Sequence, residues 1–156
     1  MNLKSFLFFI IVLFSTSSLF SQNNWKTNYE KAMAQAKIEK KAVLLLFTGS
    51  DWCPPCKSLH RNIFDSKVFE EYAKEHLILI KADFPRHRKN QLPIELKKHN
   101  EQLAVKYEIK GFPTVLILNP DGEVLNKSVG YRGNSPKSYI DNISKKTKAL
   151  LLAKSR

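Results

Sequence analysis

Hydrophobic and polar positions along the chain fall into stretches that predict strands and helices. Two largely apolar runs, Ala42–Thr48 (AVLLLFT) and Leu77–Ala82 (LILIKA), predict strands buried on both faces of a sheet. A third strand is predicted over Thr114–Leu118. The turn sequence Asn119–Gly122 (NPDG) then leads to a fourth strand over Val124–Val129, so we expect these two strands to form a hairpin.

The segments outside the strands carry apolar residues at three- and four-residue spacing, which is typical of amphipathic helices. Helices are predicted over Trp25–Lys40, from Pro54 to about Ile63, over Lys67–His76, over Pro93–Glu108, and from Ser135 and Pro136 to about Ala153. Ser66 is the predicted N-cap of the helix that follows it. Gly111 is the predicted turn residue after the fourth helix, whose apolar positions include Ile94, Leu96, Leu103 and Val105.

This order of elements predicts an α/β fold. Because strands separated by helices favour parallel pairing, and the final hairpin adds an antiparallel edge, we expect a central mixed β-sheet with helices on both faces. The chain has 156 residues, with no internal repeat and no long linker. We therefore expect one domain over residues 22–156.

Residues 1–21 have the pattern of a secretory signal peptide. Lys4 supplies a positive start, Phe6–Phe14 (FLFFIIVLF) an apolar core, and Ser15–Ser21 a mostly small and polar end. The apolar run is shorter than the roughly 20 residues that span a bilayer. We expect cleavage after Ser21, export to the periplasm or alternatively secretion, and no stable membrane insertion of the mature chain. A retained amino-terminal anchor or a buried helix is the alternative interpretation.

Composition adds a strong positive charge, with 26 Lys and Arg against 14 Asp and Glu and a formal net charge of +12. Such a charge raises the possibility of nucleic acid, membrane surfaces or acidic partners. The basic residues are spread over every predicted helix, although Arg86–Lys89 (RHRK) forms one cluster in a loop. No nucleic-acid motif accompanies them, so we expect a solvated basic surface, no nucleic-acid partner, and a monomer.

The two cysteines of the chain lie three positions apart in the sequence Trp52-Cys53-Pro54-Pro55-Cys56, between a predicted strand and a predicted helix. Cys53 falls at or near the helix N-cap, where backbone N–H groups and the positive helix end stabilise a thiolate. Pro54 and Pro55 remove two N–H donors and leave mainly that of Cys56. We expect Cys56, one turn into the helix, to be the more buried and to resolve a mixed disulfide.

These residues resemble the thioredoxin superfamily, and in particular small secreted bacterial thioredoxin-like or thiol–disulfide isomerase-like proteins. The resemblance covers about residues 42–152 and depends on two motifs, WCPPCK at Trp52–Lys57 and GFPT at Gly111–Thr114. It implies a thioredoxin-like fold in which Pro113 is a cis-proline facing the dithiol and Phe112 pairs through its backbone with an extended peptide. It also implies a substrate surface formed by Trp52, Pro54, Pro55 and Phe112.

The resemblance further implies an exported thiol–disulfide oxidoreductase in which Cys53 attacks a substrate disulfide and Cys56 resolves the mixed disulfide. Its partners would be protein thiols or disulfides and an unidentified redox partner, and no cofactor or metal would be needed. Reduction is favoured over oxidation because the dipeptide between the cysteines lacks the histidine of strong oxidants in this superfamily. Isomerisation of protein disulfides is the related possibility.

One position departs from the thioredoxin pattern. Thioredoxins usually bury an aspartate beneath the resolving cysteine, in the strand before the motif, whereas Ala42–Thr48 contains no carboxylate and Phe47 or its neighbour fills that place. Asp51 is close in sequence, but we expect it to be solvated in a loop and to take no part in catalysis. Proton transfer from Cys56 would then use water or Lys81, and Cys56 would resolve the mixed disulfide more slowly than in thioredoxin.

Two other interpretations of the cysteine pair stay open at this point. The pair could be an inert disulfide in a binding or chaperone-like module. Alternatively, Cys53, Cys56 and His60 could supply three metal ligands, although a closed zinc site would need a further distant ligand.

Overall fold

The computed structural model of the protein describes residues 25–154, with side chains described through residue 148. The expected signal peptide over residues 1–21 lies outside this part of the chain. The helices are α1 (Tyr29–Glu39), α2 (Pro54–Leu59), α3 (Lys67–His76), α4 (Ile94–Lys106) and α5 (Pro136–Lys154). A π-helical turn (His60–Phe64) follows α2, and a 3₁₀ turn (Arg88–Asn90) precedes α4. The strands are β1 (Ala42–Thr48), β2 (Leu77–Asp83), β3 (Thr114–Leu118) and β4 (Val124–Val129).

The four strands form one mixed sheet in the order β2-β1-β3-β4. β1 and β2 are parallel, with Ala42 opposite Leu77 and Thr48 opposite Asp83. β3 and β4 form the predicted antiparallel hairpin, and its turn is closed by a hydrogen bond from Gly122 N to Asn119 O of 3.0 Å. Gly122 has a φ of 90°, the left-handed region that glycine adopts without penalty.

The expectation that helix-separated strands pair in parallel is wrong for β3, which runs antiparallel to β1. The cause is the path of the chain after β2. Helix α4 leads the chain away from the end of β2. Tyr107, directly after α4, approaches Gly122 in the hairpin turn, which lies at the opposite end of the sheet. The segment 107–113 then runs back alongside β4, where Lys127 Nζ donates to the carbonyl of Tyr107 (2.8 Å). Strand β3 therefore begins at the same end of the sheet at which β2 finishes.

The two faces of the sheet carry separate hydrophobic cores. On one face, Val43, Leu45 and Phe47 of β1 pack with side chains of α1 and α4. On the other face, Leu44 and Leu46 pack with side chains of α2, α3, α5 and the π-helical turn. Since side chains alternate along a strand, the continuous apolar run of β1 supplies both cores. The predicted arrangement of a mixed sheet with helices on both faces is confirmed.

The helix starts follow from local capping. Ser66 is the N-cap of α3, as predicted, and its hydroxyl accepts a hydrogen bond from Phe69 N (3.3 Å). Helix α1 begins at Tyr29 and not at Trp25, because Asn28 is the N-cap and its side chain accepts from Lys31 N (2.8 Å). Lys26 instead forms a β-bridge with Ile80.

The end and the exposed face of α4 also differ from the prediction. Ile94 and Val105 are 61% and 79% exposed, because at about 100° per residue both lie on the side of the helix opposite the buried Leu103. The left-handed residue after the helix is Glu108, with a φ of 50°, and not Gly111.

One edge of the sheet collects the segments that the sequence singled out. Thr48 at the end of β1 lies opposite Asp83 at the end of β2. Phe47 lies opposite Thr114 at the start of β3. We call this end of the sheet the site edge, because the loops that carry the cysteine motif, the basic cluster and Pro113 all adjoin it.

Candidate active site around the Cys53–Cys56 disulfide

Cys53 and Cys56 form a disulfide at the site edge, with a Cα–Cα distance of 5.3 Å. The two residues are 3% and 4% exposed. The expectation that Cys56 is the more buried is therefore wrong for this oxidised state. Because the disulfide bond joins the two sulfurs, the two cysteines are buried to nearly the same extent.

The position of Cys53 explains how the fold can stabilise its thiolate. Cys53 is the N-cap of α2, and its Sγ accepts a hydrogen bond from Cys56 N at 3.3 Å. Pro54 and Pro55 occupy the first helical positions and have no N–H to offer, as the sequence predicted. The same N–H and the positive end of the helix would face the sulfur when Cys53 is a thiolate.

Pro113 lies across the same edge and has the cis peptide bond that the GFPT motif predicted, between Phe112 and Pro113. Its ring is buried, and its carbonyl accepts a hydrogen bond from Gly130 N (2.8 Å). Thr114 Oγ1 donates to the carbonyl of Gly111 (2.7 Å), which holds the turn before β3. These bonds hold the Pro113 loop to β4 and to its own turn.

Trp52 is held from several sides beside the cysteines. Its Nε1 donates to the carbonyl of Phe84 (2.8 Å), and its ring makes an edge-on contact with Phe112 at 5.9 Å between centroids. The guanidinium of Arg86 lies 3.5 Å from the centre of the indole ring, which is a cation–π contact. Phe84 completes the cluster by packing on Phe112 at 5.1 Å.

Trp52 and Phe112, which the sequence proposed as substrate contacts, are thus brought together, and Pro54 and Pro55 are exposed nearby at the start of α2. Sequence reasoning did not single out Phe84, and it assigned Arg86 to a solvated basic loop. The signal that could have found them is their place directly after the second buried strand. The ends of adjacent parallel strands lie at the same edge of a sheet, so this loop had to adjoin the cysteine motif.

Gly49 is a third residue that sequence reasoning missed. Its carbonyl accepts hydrogen bonds from Cys53 N (2.9 Å) and Trp52 N (3.3 Å), so it shapes the turn into the motif. A Cβ atom at this position would lie 2.5 Å from Trp52 Nε1 and would overlap the indole ring. Only glycine lets the ring of Trp52 cover this backbone.

We expect Gly49→Ala to destabilise the fold by about 1–3 kcal/mol, the usual cost of overpacking, because Trp52 is fixed by Phe84, Arg86 and Phe112 and cannot yield. Urea unfolding and the near-ultraviolet circular dichroism of the tryptophans would measure it. Gly111→Ala is the matched control at the same edge, since its Cβ would meet only Val129 at 3.6 Å. Equal stability of the two variants would contradict the role assigned to Gly49.

A model of the thioredoxin-like domain family matches residues 29–143. The disulfide bond reductase DsbH of Chlamydia pneumoniae is 31% identical over 119 residues, which cover 76% of this chain and 69% of DsbH. The thioredoxin-related protein DsbJ of the same organism is 24% identical, over 74% of this chain and 32% of DsbJ.

A solved structure of a DsbH oxidoreductase superposes with a TM-score of 0.72 and 31% identity, covering 80% of this chain and 83% of that one. The chain belongs to the thioredoxin-like family. This membership, the similarity to DsbH and the Cys53–Cys56 pair in its C-x-x-C arrangement make the protein a thiol–disulfide oxidoreductase.

The resemblance implies a buried aspartate in the strand before the motif, and that strand, β1, contains no carboxylate. Phe47 is fully buried and packs edge-on against Tyr107 at 6.4 Å between ring centres. It lies on the sheet face covered by α1 and α4. Among residues 25–148, no aspartate or glutamate is buried. Lys81, the other residue considered for proton transfer, is only partly buried on β2.

Asp51 lies in a loop and is partly exposed, as the sequence suggested, but its carboxylate is hydrogen-bonded to the basic loop. Its carboxylate accepts hydrogen bonds from Arg86 N (3.0 Å), His87 N (2.9 Å) and Asn90 Nδ2 (3.0 Å). Desolvation opposes ionisation of the carboxyl, but these three donors outweigh it and lower the pKa of Asp51 to about 2. Asp51 therefore ties the basic loop to the cysteine motif in this thioredoxin-like protein.

We expect Asp51→Asn to lower the thermal unfolding midpoint at pH 6 and to have almost no effect at pH 2. Because the folded-state pKa lies below that of an unfolded aspartate, the carboxylate stabilises the fold above about pH 4 and loses this effect as the pH falls toward 2. Calorimetry at both pH values would measure it. Asp141→Asn, at an exposed aspartate of α5, is the control. An Asp51→Asn deficit that persists unchanged at pH 2 would contradict the carboxylate's role.

The metal interpretation finds no ligand set in residues 25–154, where no three His, Cys, Asp or Glu side chains are grouped as metal ligands. His60, the third candidate ligand, lies with its Nδ1 2.9 Å from Asp65 Oδ1. Its ring packs against Phe64 at 6.0 Å between centres. His60 therefore takes part in local packing after α2.

Proposed function

We propose that this thiol–disulfide oxidoreductase is an exported reductase of disulfide bonds in proteins. The observation that carries the proposal is the buried Cys53–Cys56 disulfide, with Cys53 at the start of α2 and cis-Pro113 at the same edge. In the proposed roles Cys53 is the nucleophile, Cys56 is the resolving thiol and Pro113 positions the substrate backbone. Trp52, Pro54, Pro55 and Phe112 form the surface on which substrate lies.

The reaction has two balanced steps. The thiolate of Cys53 attacks one sulfur of a substrate disulfide, forms a mixed disulfide and releases the second substrate sulfur as a thiolate, which takes up a proton. The thiol of Cys56 loses its proton to solvent, and the resulting thiolate attacks Cys53 Sγ and releases the first substrate sulfur as a thiolate, which also takes up a proton. Two electrons pass from the Cys53–Cys56 dithiol to the substrate, and the disulfide seen in the structure is the product. Hydrogen bonding by Cys56 N favours the thiolate of Cys53 for the first step.

Three observations support reduction outside the cytoplasm. The relative DsbH is named a disulfide bond reductase. The dipeptide between the cysteines is Pro54-Pro55 and has no histidine. Residues 1–21 have the pattern of an export signal. Separately, no helix within residues 25–154 is long and apolar enough to cross a membrane. We place the mature chain in the periplasm, where an unidentified redox partner must reduce the Cys53–Cys56 disulfide again.

The direction is tested by comparing two reactions of the purified chain. We expect the reduced chain to catalyse reduction of insulin disulfides in the presence of dithiothreitol, and the oxidised chain to be a poor catalyst of disulfide formation in reduced ribonuclease A. Fast oxidation with slow reduction would contradict the proposed direction. Binding of unfolded proteins without either activity would instead favour a chaperone-like module.

A further inference from the structure

A cleft of about 250 Å³ opens beside the disulfide, between the cysteine motif, the basic loop and the Pro113 loop. Its walls combine aromatic and cationic side chains, namely Trp52, Phe84, Phe112, Arg86 and Lys97. Trp52 directly precedes Cys53, and Phe112 directly precedes cis-Pro113. A peptide whose half-cystine lies against Cys53 would therefore run close to this cleft, and a neighbouring side chain could enter it.

The charges in the cleft are positive and available. Arg86 stacks on Trp52 at 3.5 Å, and neither Arg86 nor Lys97 forms an ion pair with any carboxylate among residues 25–148. Of the residues lining the cleft, Asp83 carries a carboxylate, and both its oxygens are engaged. They accept from Ser50 N (3.0 Å), Ser50 Oγ (2.6 Å) and Phe84 N (2.9 Å). The cleft thus presents two cations to a ligand, and its carboxylate is held by the protein.

The position of Arg86 is built into the fold. Asp51 accepts hydrogen bonds from the backbone of Arg86 (3.0 Å) and of the following residue, His87 (2.9 Å). The backbone of Arg86 is therefore held by Asp51, and its guanidinium is stacked on Trp52. Such a preorganised guanidinium is suited to binding a carboxylate. Trp52, Phe84 and Phe112 can cover the aliphatic part of an acidic side chain.

We propose that this cleft selects protein disulfides with an acidic residue beside the half-cystine that Cys53 attacks, and that Arg86 is the specificity-determining residue. The inference rests on the proposed reductase function and names its substrate class. Charge complementarity carries it, because a glutamate side chain would pair with Arg86 and Lys97, whereas a lysine side chain would meet two like charges.

The test uses three model peptides with one disulfide each, which differ only in having Glu, Gln or Lys next to the attacked half-cystine. We expect the second-order rate constant for reduction of the Glu peptide by the reduced chain to exceed that for the Gln peptide by about fivefold at low ionic strength, and the Lys peptide to be slowest. The preference should shrink at high salt, since an exposed pair is screened.

Two variants locate the preference. Arg86→Gln should bring the Glu-to-Gln ratio close to one. Arg88→Gln removes the same charge from the same loop, at an exposed residue outside the cleft, and should keep the wild-type ratio. Similar rates for all three peptides, or an equal loss of preference in both variants, would overturn the inference and leave the reductase function intact. Failure to reduce any of the peptides would contradict the reductase function itself.

Discussion

Replacing Cys53 with serine is expected to abolish the reduction of insulin disulfides, lowering the catalysed rate by at least about 10³-fold, as loss of a nucleophile does. A serine hydroxyl is not ionised near neutral pH and cannot form the mixed disulfide. The turbidity of precipitating insulin chains, corrected for the dithiothreitol reaction alone, measures the rate. Cys53→Ser should remain folded because the Cys53–Cys56 disulfide closes a loop of only three positions and joins no distant parts of the chain. Circular dichroism would verify this.

Cys56→Ala is the informative partner of this variant. It keeps the nucleophile and its N–H donor at position 56 but cannot resolve the mixed disulfide, so we expect a covalent adduct on non-reducing gels. Sequencing the captured proteins would identify substrates and the redox partner. Insulin reduction by Cys53→Ser at the wild-type rate would show that the cysteine pair is incidental to the activity.

Replacing Phe47 with alanine is expected to lower the free energy of unfolding by about 3–5 kcal/mol, a large share of the stability of a domain of this size. Phe47 is fully buried in β1, and its ring fills the space between the sheet and Tyr107. Truncation leaves a cavity that the packed core cannot close. Urea unfolding followed by circular dichroism measures the loss.

Phe47→Leu is the matched control, for which we expect a loss of about 1 kcal/mol because most of the apolar volume remains. The comparison bears on the place where thioredoxins usually carry a buried aspartate. If Phe47→Ala unfolded at the same urea concentration as the unaltered chain, Phe47 would have no structural role. Another explanation would then be needed for the missing carboxylate.

Local patterns predicted most of the helices and strands of this protein. The apolar run Ala42–Thr48 has no polar face, so it could only be a strand covered on both sides. The Ser66 cap and the Asn119–Gly122 turn depend on side chains and backbone freedom within a few residues. The prediction of parallel pairing failed for β3 because the deciding contact is distant, in the return of segment 107–113 along β4.

The family, the fold class and the cysteine pair could all be inferred from local motifs. Two cysteines three positions apart at the start of a helix, with the Gly111–Thr114 motif downstream, specify a thiol–disulfide site through local geometry. The side chains that surround that site depend on the tertiary structure. Asp51 and Arg86 are 35 positions apart, and their hydrogen bond forms because adjacent parallel strands end at one edge of the sheet. The packing around Trp52 and the cationic cleft therefore depend on the order of the strands in the sheet, which no local sequence pattern encodes.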